Sequence, residues 1–168
     1  TGTCMVHLGM SGSVRVVPHA DDYHKHDHVA WRLTNGREVR LRDPRRFGSV
    51  HWIEGELDDH PLLRHLGPEP LGNQFDGRWL FDRSRKKSVA VKNFIMDAKQ
   101  VVGVGNIYAS EALHRSGIHP SREAGRVSAA RYETLASDIR KVLQAAIVAG
   151  GTTLRDFANN DGEPGYFA

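Results

Sequence analysis

The spacing of apolar residues changes character about a third of the way along the chain. Before that point they fall in short runs of strand length: Ser-Val-Arg-Val-Val at 13–17, Val-Ala-Trp-Arg-Leu at 29–33, Glu-Val-Arg-Leu-Arg at 38–42 and Gly-Ser-Val-His-Trp at 48–52. Alternation bounded by turn residues predicts four strands. A further strand-like apolar segment follows Cys4. Thr34-Asn35-Gly36 separates the second and third runs, and Asn-Gly is the preferred core of a tight primed turn, so those two strands are expected to pair antiparallel. After Glu54, charge, proline and glycine dominate as far as Gly72, and Pro61, Pro68 and Pro70 break any long helix; a connection is expected at 58–72. Beyond it the period becomes helical. Tyr132, Leu135, Ile139, Leu143 and Ile147 predict a helix over 128–148, stopped by Gly150-Gly151, and shorter helices are expected over 89–97 and 106–116, the latter closed by Gly117 with Pro120 beyond. The pattern describes an α+β chain: a β portion at 1–57, the connection at 58–72 and a helical domain at 73–168.

Between the second and third of these helical stretches lies Val102-Gly-Val-Gly-Asn-Ile-Tyr108. Glycines at 103 and 105 let the backbone turn tightly and approach a ligand, Asn106 is a good N-cap, and the first N–H groups of the helix would point at an anion. A phosphate is the natural guest. The turn joins two helices rather than a strand and a helix, and Tyr108 stands where a third glycine would be needed, which argues against a dinucleotide-binding fold.

Composition narrows the partner. The 168 residues carry 23 Lys plus Arg against 20 Asp plus Glu, a formal charge of +3, with 39% apolar residues, enough for a real core. A single cysteine rules out an internal disulfide or a Cys-based zinc site in these residues, and no stretch reads as a membrane span or signal peptide, so a reducing, cytoplasmic setting is the expectation. The basic residues cluster twice: Arg83, Arg85, Lys86, Lys87 and Lys92 precede the glycine turn, and Arg37, Arg40, Arg42, Arg45 and Arg46 surround the hairpin. A β wall and a helical wall that both contact a phosphate chain would fit this distribution. His19, Asp21, Asp22, His24, His26 and His28 lie within ten positions, yet solvated loop histidines explain them better than a metal site does. Asp43-Pro-Arg-Arg-Phe-Gly48 is a stiffened loop offering arginine and an aromatic wedge of the kind that opens base stacks, and Met10 tips a second loop between Gly9 and Gly12.

These segments, together with Lys25-His-Asp-His28, His65-Leu-Gly-Pro-Glu-Pro70, Gly117-Ile-His-Pro120, Gly151-Thr-Thr-Leu154 and Asp161-Gly-Glu-Pro-Gly-Tyr-Phe167, closely resemble the formamidopyrimidine-DNA glycosylases, relatives of endonuclease VIII with a helix-two-turns-helix DNA-binding domain. The resemblance implies a base-excision-repair protein that flips an oxidised purine, formamidopyrimidine or 8-oxoguanine, out of duplex DNA, at an unstacking cost of a few kcal/mol. It further implies that Met10, Arg45 and Phe47 fill the void. His26, Arg46, Lys87, Lys92 and Asn106, with Tyr108 beside the turn, would grip the phosphates. Glu111 would lie near the lesion, and Thr152, Thr153, Gly165 and Tyr166 would belong to a loop that closes on the damaged base.

In that family the nucleophile is an N-terminal proline followed by an acidic residue, and a four-cysteine zinc finger would lie beyond Ala168. This sequence starts at Thr1, so no catalytic residue and no cofactor are assigned within it. Three readings stay open, the first two being a bifunctional glycosylase and abasic-site lyase represented by its central and helical parts, and a truncated paralogue that only binds damaged or abasic DNA. A nucleotide- or phosphometabolite-binding protein using the glycine turn alone is the third.

Overall fold

The computed structural model describes residues 2–151. They fall into two compact units, one built on residues up to Leu57 and the other spanning Asp58–Val148. Antiparallel strands make up the first and helices the second, an α+β chain.

Five strands form the first unit: β1 (Thr3–His7), β2 (Ser13–Pro18), β3 (Asp27–Arg32), β4 (Arg37–Arg42) and β5 (Ser49–Ile53). The strand-like segment after Cys4 is thus a fifth strand, paired antiparallel with β5, while β4 runs between β2 and β3 in a separate antiparallel sheet. The Asn35-Gly36 turn delivers the expected hairpin, with Trp31 opposite Val39 and Val29 opposite Leu41. Because side chains alternate across a strand, β4 sends Val39 and Leu41 to one face and Glu38, Arg40 and Arg42 to the other.

The charged face is not solvated. Glu38 is fully buried and Arg40 is only 4% exposed. Arg40 Nε donates to Glu38 at 3.0 Å, Tyr23 Oη–H donates to the same carboxylate at 3.0 Å, and His19 Nδ1 lies 2.7 Å from it. The Arg40 guanidinium also caps the carbonyls of Asp21 and Asp22 at 2.7 and 2.9 Å. Burial alone would push the Glu38 carboxyl up, but hydrogen bonds from His19, Arg40 and Tyr23 outweigh it and hold the carboxyl down at about 2. Arg40 therefore leaves the cationic surface the sequence predicts, neutralising Glu38, while Arg42, 31% exposed, places its Nε 3.4 Å from the carboxylate of Asp27, itself 6% exposed.

The second unit contains α1 (Gly77–Ser84), α2 (Val91–Met96), α3 (Asn106–Arg115) and α4 (Ala129–Val148). Helix α4 is the spine, with α1 and α3 packed on it, and the heptad-like set Tyr132, Leu135, Ile139 and Val142 is buried together with Phe75, Leu80, Ile95 and Leu113. Ile147, assigned to that stripe by spacing, is instead 65% exposed. Helix α1 escapes a periodicity search because it is short and its Trp-Leu-Phe centre reads equally as a strand. Its start is set by Asp76, whose carboxylate accepts the Trp79 N–H at 2.7 Å.

The proline-rich segment ahead of α1 is fastened to this unit. Gly67 N–H donates to Ala98 O at 2.7 Å and Val102 N–H to Pro68 O at 3.3 Å. Arg140 of α4 donates to the carbonyls of Pro70 and Gly72 at 3.0 Å each, and to that of Phe75.

Candidate nucleic-acid interface

In the first unit, two loops carry the proposed void-filling side chains. Met10 is 61% and Phe47 57% exposed. The Arg45 guanidinium stacks over the Phe47 ring, 5.1 Å from its centroid. The loops themselves touch: a Cβ at Gly9 would come within 2.6 Å of the Phe47 backbone carbon, and Gly9 has a φ of +64°, so only glycine meets both demands there. Structure thus brings Met10, Arg45 and Phe47 together on adjoining loops. Arg46 adopts a φ of +55°, which turns its exposed side chain away from a regular strand path.

Asp43, whose role the sequence does not signal beyond its place before Pro44, holds this arrangement. One carboxylate oxygen accepts the Gly48 N–H at 2.7 Å and the other the Ser11 hydroxyl at 3.4 Å. The Gly48 N–H above all keeps the carboxyl below its usual range against the opposing effect of burial. Aspartates that accept backbone N–H groups in Pro-containing turns are a known device, and that chemistry is the signal that could have found Asp43. His26 is half-buried on the rim of the same region, its carbonyl accepting the Asp43 N–H at 3.0 Å and its ring 6.2 Å from that of His28.

In the second unit the glycine turn is built as a ligand-ready bend. Gly103 has a φ of +74°, and a Cβ at Gly103 or Gly105 would meet nothing within 4 Å, so the backbone lies open to approach. The cap is Gly105, in extended conformation, and Asn106 is the first helical residue rather than the N-cap the sequence suggests. The extended backbone of Gly105 already supplies the half-in position, and its carbonyl accepts the Ala109 N–H at 2.9 Å. Behind the turn, Asp97 accepts Lys99 N–H and the Gln100 side-chain amide at 3.0 and 3.1 Å, and Gln100 in turn receives Arg83 Nε and Trp79 Nε1 at 2.8 Å each.

The basic residues ahead of the turn divide in two. Arg83 stacks on Trp79 at 4.7 Å and Arg85 on Phe81 at 3.8 Å, and Arg85 also donates to Val127 O at 3.0 Å, so both serve the packing of the helical unit. Lys87 is exposed and Lys92 half-exposed, their backbones pinned by the bonds Gly125 N–H to Lys87 O at 2.9 Å and Lys92 N–H to Pro120 O at 3.2 Å. Asn106 is exposed and Tyr108 half-buried on the first turns of α3. Glu111 is half-buried and pairs with Arg115 at 3.0 Å on the same helix. Thr152, Thr153, Gly165 and Tyr166 lie outside the described residues.

The model of the formamidopyrimidine-DNA glycosylase N-terminal domain matches residues 1–50, and that of the same enzymes' H2TH domain matches residues 66–158, more than half of the chain. The chain belongs to the formamidopyrimidine-DNA glycosylase family. It is 62% identical over 167 residues to the formamidopyrimidine-DNA glycosylase of Syntrophotalea carbinolica and 59% identical to that of Alcanivorax borkumensis, covering 99% of this chain and 62% of each relative's length. Among solved structures, MutM (Fpg) of Thermus thermophilus superposes with a TM-score of 0.87 at 35% identity, covering 98% of this chain and 60% of that one. Lactococcus lactis Fpg in complex with DNA containing an abasic site superposes with a TM-score of 0.86 at 28% identity, covering 96% and 59%. The chain therefore spans about three-fifths of the length of the relatives it matches.

Two residues of the histidine-rich stretch have partners within the first unit. His19 serves Glu38, and His28 Nε2 lies 3.1 Å from Asp43 O. Among the described residues no three His, Cys, Asp or Glu side chains converge as a metal site would require. Nor, among them, is any helix long and apolar enough to cross a membrane.

Proposed function

We propose that this chain acts in base-excision repair by binding damaged duplex DNA, as a monomer, with the damaged base turned out of the helix. The enzyme chemistry belonging to that surface is a DNA glycosylase with coupled abasic-site lyase activity on oxidised purines such as formamidopyrimidine and 8-oxoguanine. The observation that carries the reading is the exposed Met10 and the Arg45–Phe47 stack on two touching loops, a shape suited to filling a vacated base position. His26, Arg46, Lys87, Lys92, Asn106 and Tyr108 take phosphate-positioning roles, which fix register without reading sequence. Glu111 is assigned to the lesion side, and Thr152, Thr153, Gly165 and Tyr166, outside the described residues, keep the lesion-loop role that the family resemblance implies. Support comes from the similarity to formamidopyrimidine-DNA glycosylases and from the Lactococcus lactis complexes with abasic-site and Fapy-dG containing DNA.

Competition separates this reading from nucleotide binding by the glycine turn alone. A labelled abasic-site duplex should remain bound in the presence of a large excess of free nucleotide and be displaced by unlabelled abasic duplex. Displacement by the nucleotide at comparable concentration would overturn it.

A further inference from the structure

Asp43 is 3% exposed and divides its bonds among separate segments of the first unit. One carboxylate oxygen accepts the N–H of Gly48, which follows Phe47, at 2.7 Å. The other faces the hydroxyl of Ser11, which follows Met10, at 3.4 Å across 32 residues of sequence. Its carbonyl accepts the Arg46 N–H at 3.3 Å, and its own N–H donates to His26 O at 3.0 Å. A turn-forming aspartate needs only one oxygen for its own loop. Here the second oxygen reaches the neighbouring loop, where the close approach of Gly9 to the Phe47 backbone reinforces this longer bond.

We propose that Asp43 is a positioning residue whose carboxylate clasps the Met10 loop to the Arg45–Phe47 loop, so that both enter an opened base stack as one rigid unit. This rests on the DNA reading above. Pre-set geometry removes the ordering cost that two independent loops would each bear on binding. The hydrogen bond from an N–H to an ionised carboxylate is the stronger kind, which makes Gly48 the fixed arm of the clasp and Ser11 the adjustable one.

Coupling between the two loops tests it. Met10→Ala, Phe47→Ala and the double variant are measured against abasic and intact duplexes, in the native background and with Asp43→Ala. With Asp43 present, the double variant should lose less abasic-site affinity than the product of the single losses; with Asp43→Ala the losses should simply multiply. Asp43→Ala alone should lower the preference for abasic over intact duplex about tenfold, consistent with breaking a buried hydrogen-bonded pair, while intact-duplex affinity stays within about twofold. Asp43→Asn, which keeps an acceptor for Gly48 and an amide for Ser11, should restore most of the preference. A folded Asp43→Ala variant that keeps the native preference, weakens both duplexes equally or leaves the coupling intact overturns the clasp. Should Asp43→Ala fail to fold, Ser11→Ala replaces it: loss of coupling supports the proposal and surviving coupling overturns it.

A measurement without DNA keeps the two ideas apart. The Gly12 N–H, bonded to Leu8 O at 2.9 Å, should exchange faster with solvent when either Asp43 or Ser11 is replaced by alanine. Unchanged protection overturns the clasp. A native chain that shows no abasic preference overturns the DNA reading instead, leaving Gly12 exchange to decide the clasp.

Discussion

In the helical unit the most deeply buried side chains include Phe75, Leu80, Val91, Ile95, Tyr132, Leu135 and Val142, whereas in the β unit the most deeply buried is the carboxylate of Glu38, and the large apolar Met10, Phe47 and Trp52 stand in solvent. The helical unit gathers a large apolar core and leaves an open glycine turn and exposed lysines outside. The β unit neutralises two of its arginines internally and presents apolar tips. Under the proposed function, the contrast would place affinity and specificity apart: cations and backbone N–H groups would hold phosphates irrespective of sequence, while the exposed tips would respond to a missing or unstacked base.

The sharpest way to expose the difference in cores is Phe75→Ala, expected to destabilise the helical unit by about 3–5 kcal/mol in urea denaturation, as for other buried large-to-small changes. A loss under about 1 kcal/mol would mean that the unit does not depend on this core. For the β unit the corresponding test is acid. Glu38 titrates at about 2 in the fold against an ordinary 4.5, so its ionised form contributes stability in full above about pH 4.5, and that contribution is lost as pH falls toward 2. Glu38→Gln should flatten the fall in β circular dichroism over that window, and an unchanged profile would contradict the buried network. Phe47→Ala should cost about 1–3 kcal/mol in binding to a lesion duplex and leave intact duplex nearly untouched; equal losses on both would remove the wedge from the account. Smallest is Arg46→Ala, which should weaken all duplexes alike and reduce the slope of log affinity against log salt by about one.

Much of this was legible from residue order, for identifiable reasons. Period-two and period-3.6 spacing, with Asn35-Gly36 and Gly117 as punctuation, located the hairpin, α3 and α4, because burial on one face enforces those periods. Short elements were not: α1 depends on a single cap, Asp76, and on packing against α4. The charge clusters misled for Arg40, which is 4% exposed, and gave no hint that Arg83 and Arg85 stack on aromatic rings. A guanidinium buried on Glu38 or stacked on Trp79 or Phe81 looks no different in sequence from one facing DNA, and only tertiary neighbours distinguish them. At the site, the exposed tips Met10 and Phe47 were anticipated through motif resemblance. Asp43 was passed over because its partners Ser11 and Gly48 come together only once the two loops adjoin.

The most direct test is the ratio of affinities for an abasic-site duplex and the same duplex intact, measured for the native chain at one low salt concentration. A preference of about tenfold or more for the abasic duplex, the equivalent of about 1.4 kcal/mol, is expected from a surface built to fill a vacant base position. Equal affinity for the two would contradict it.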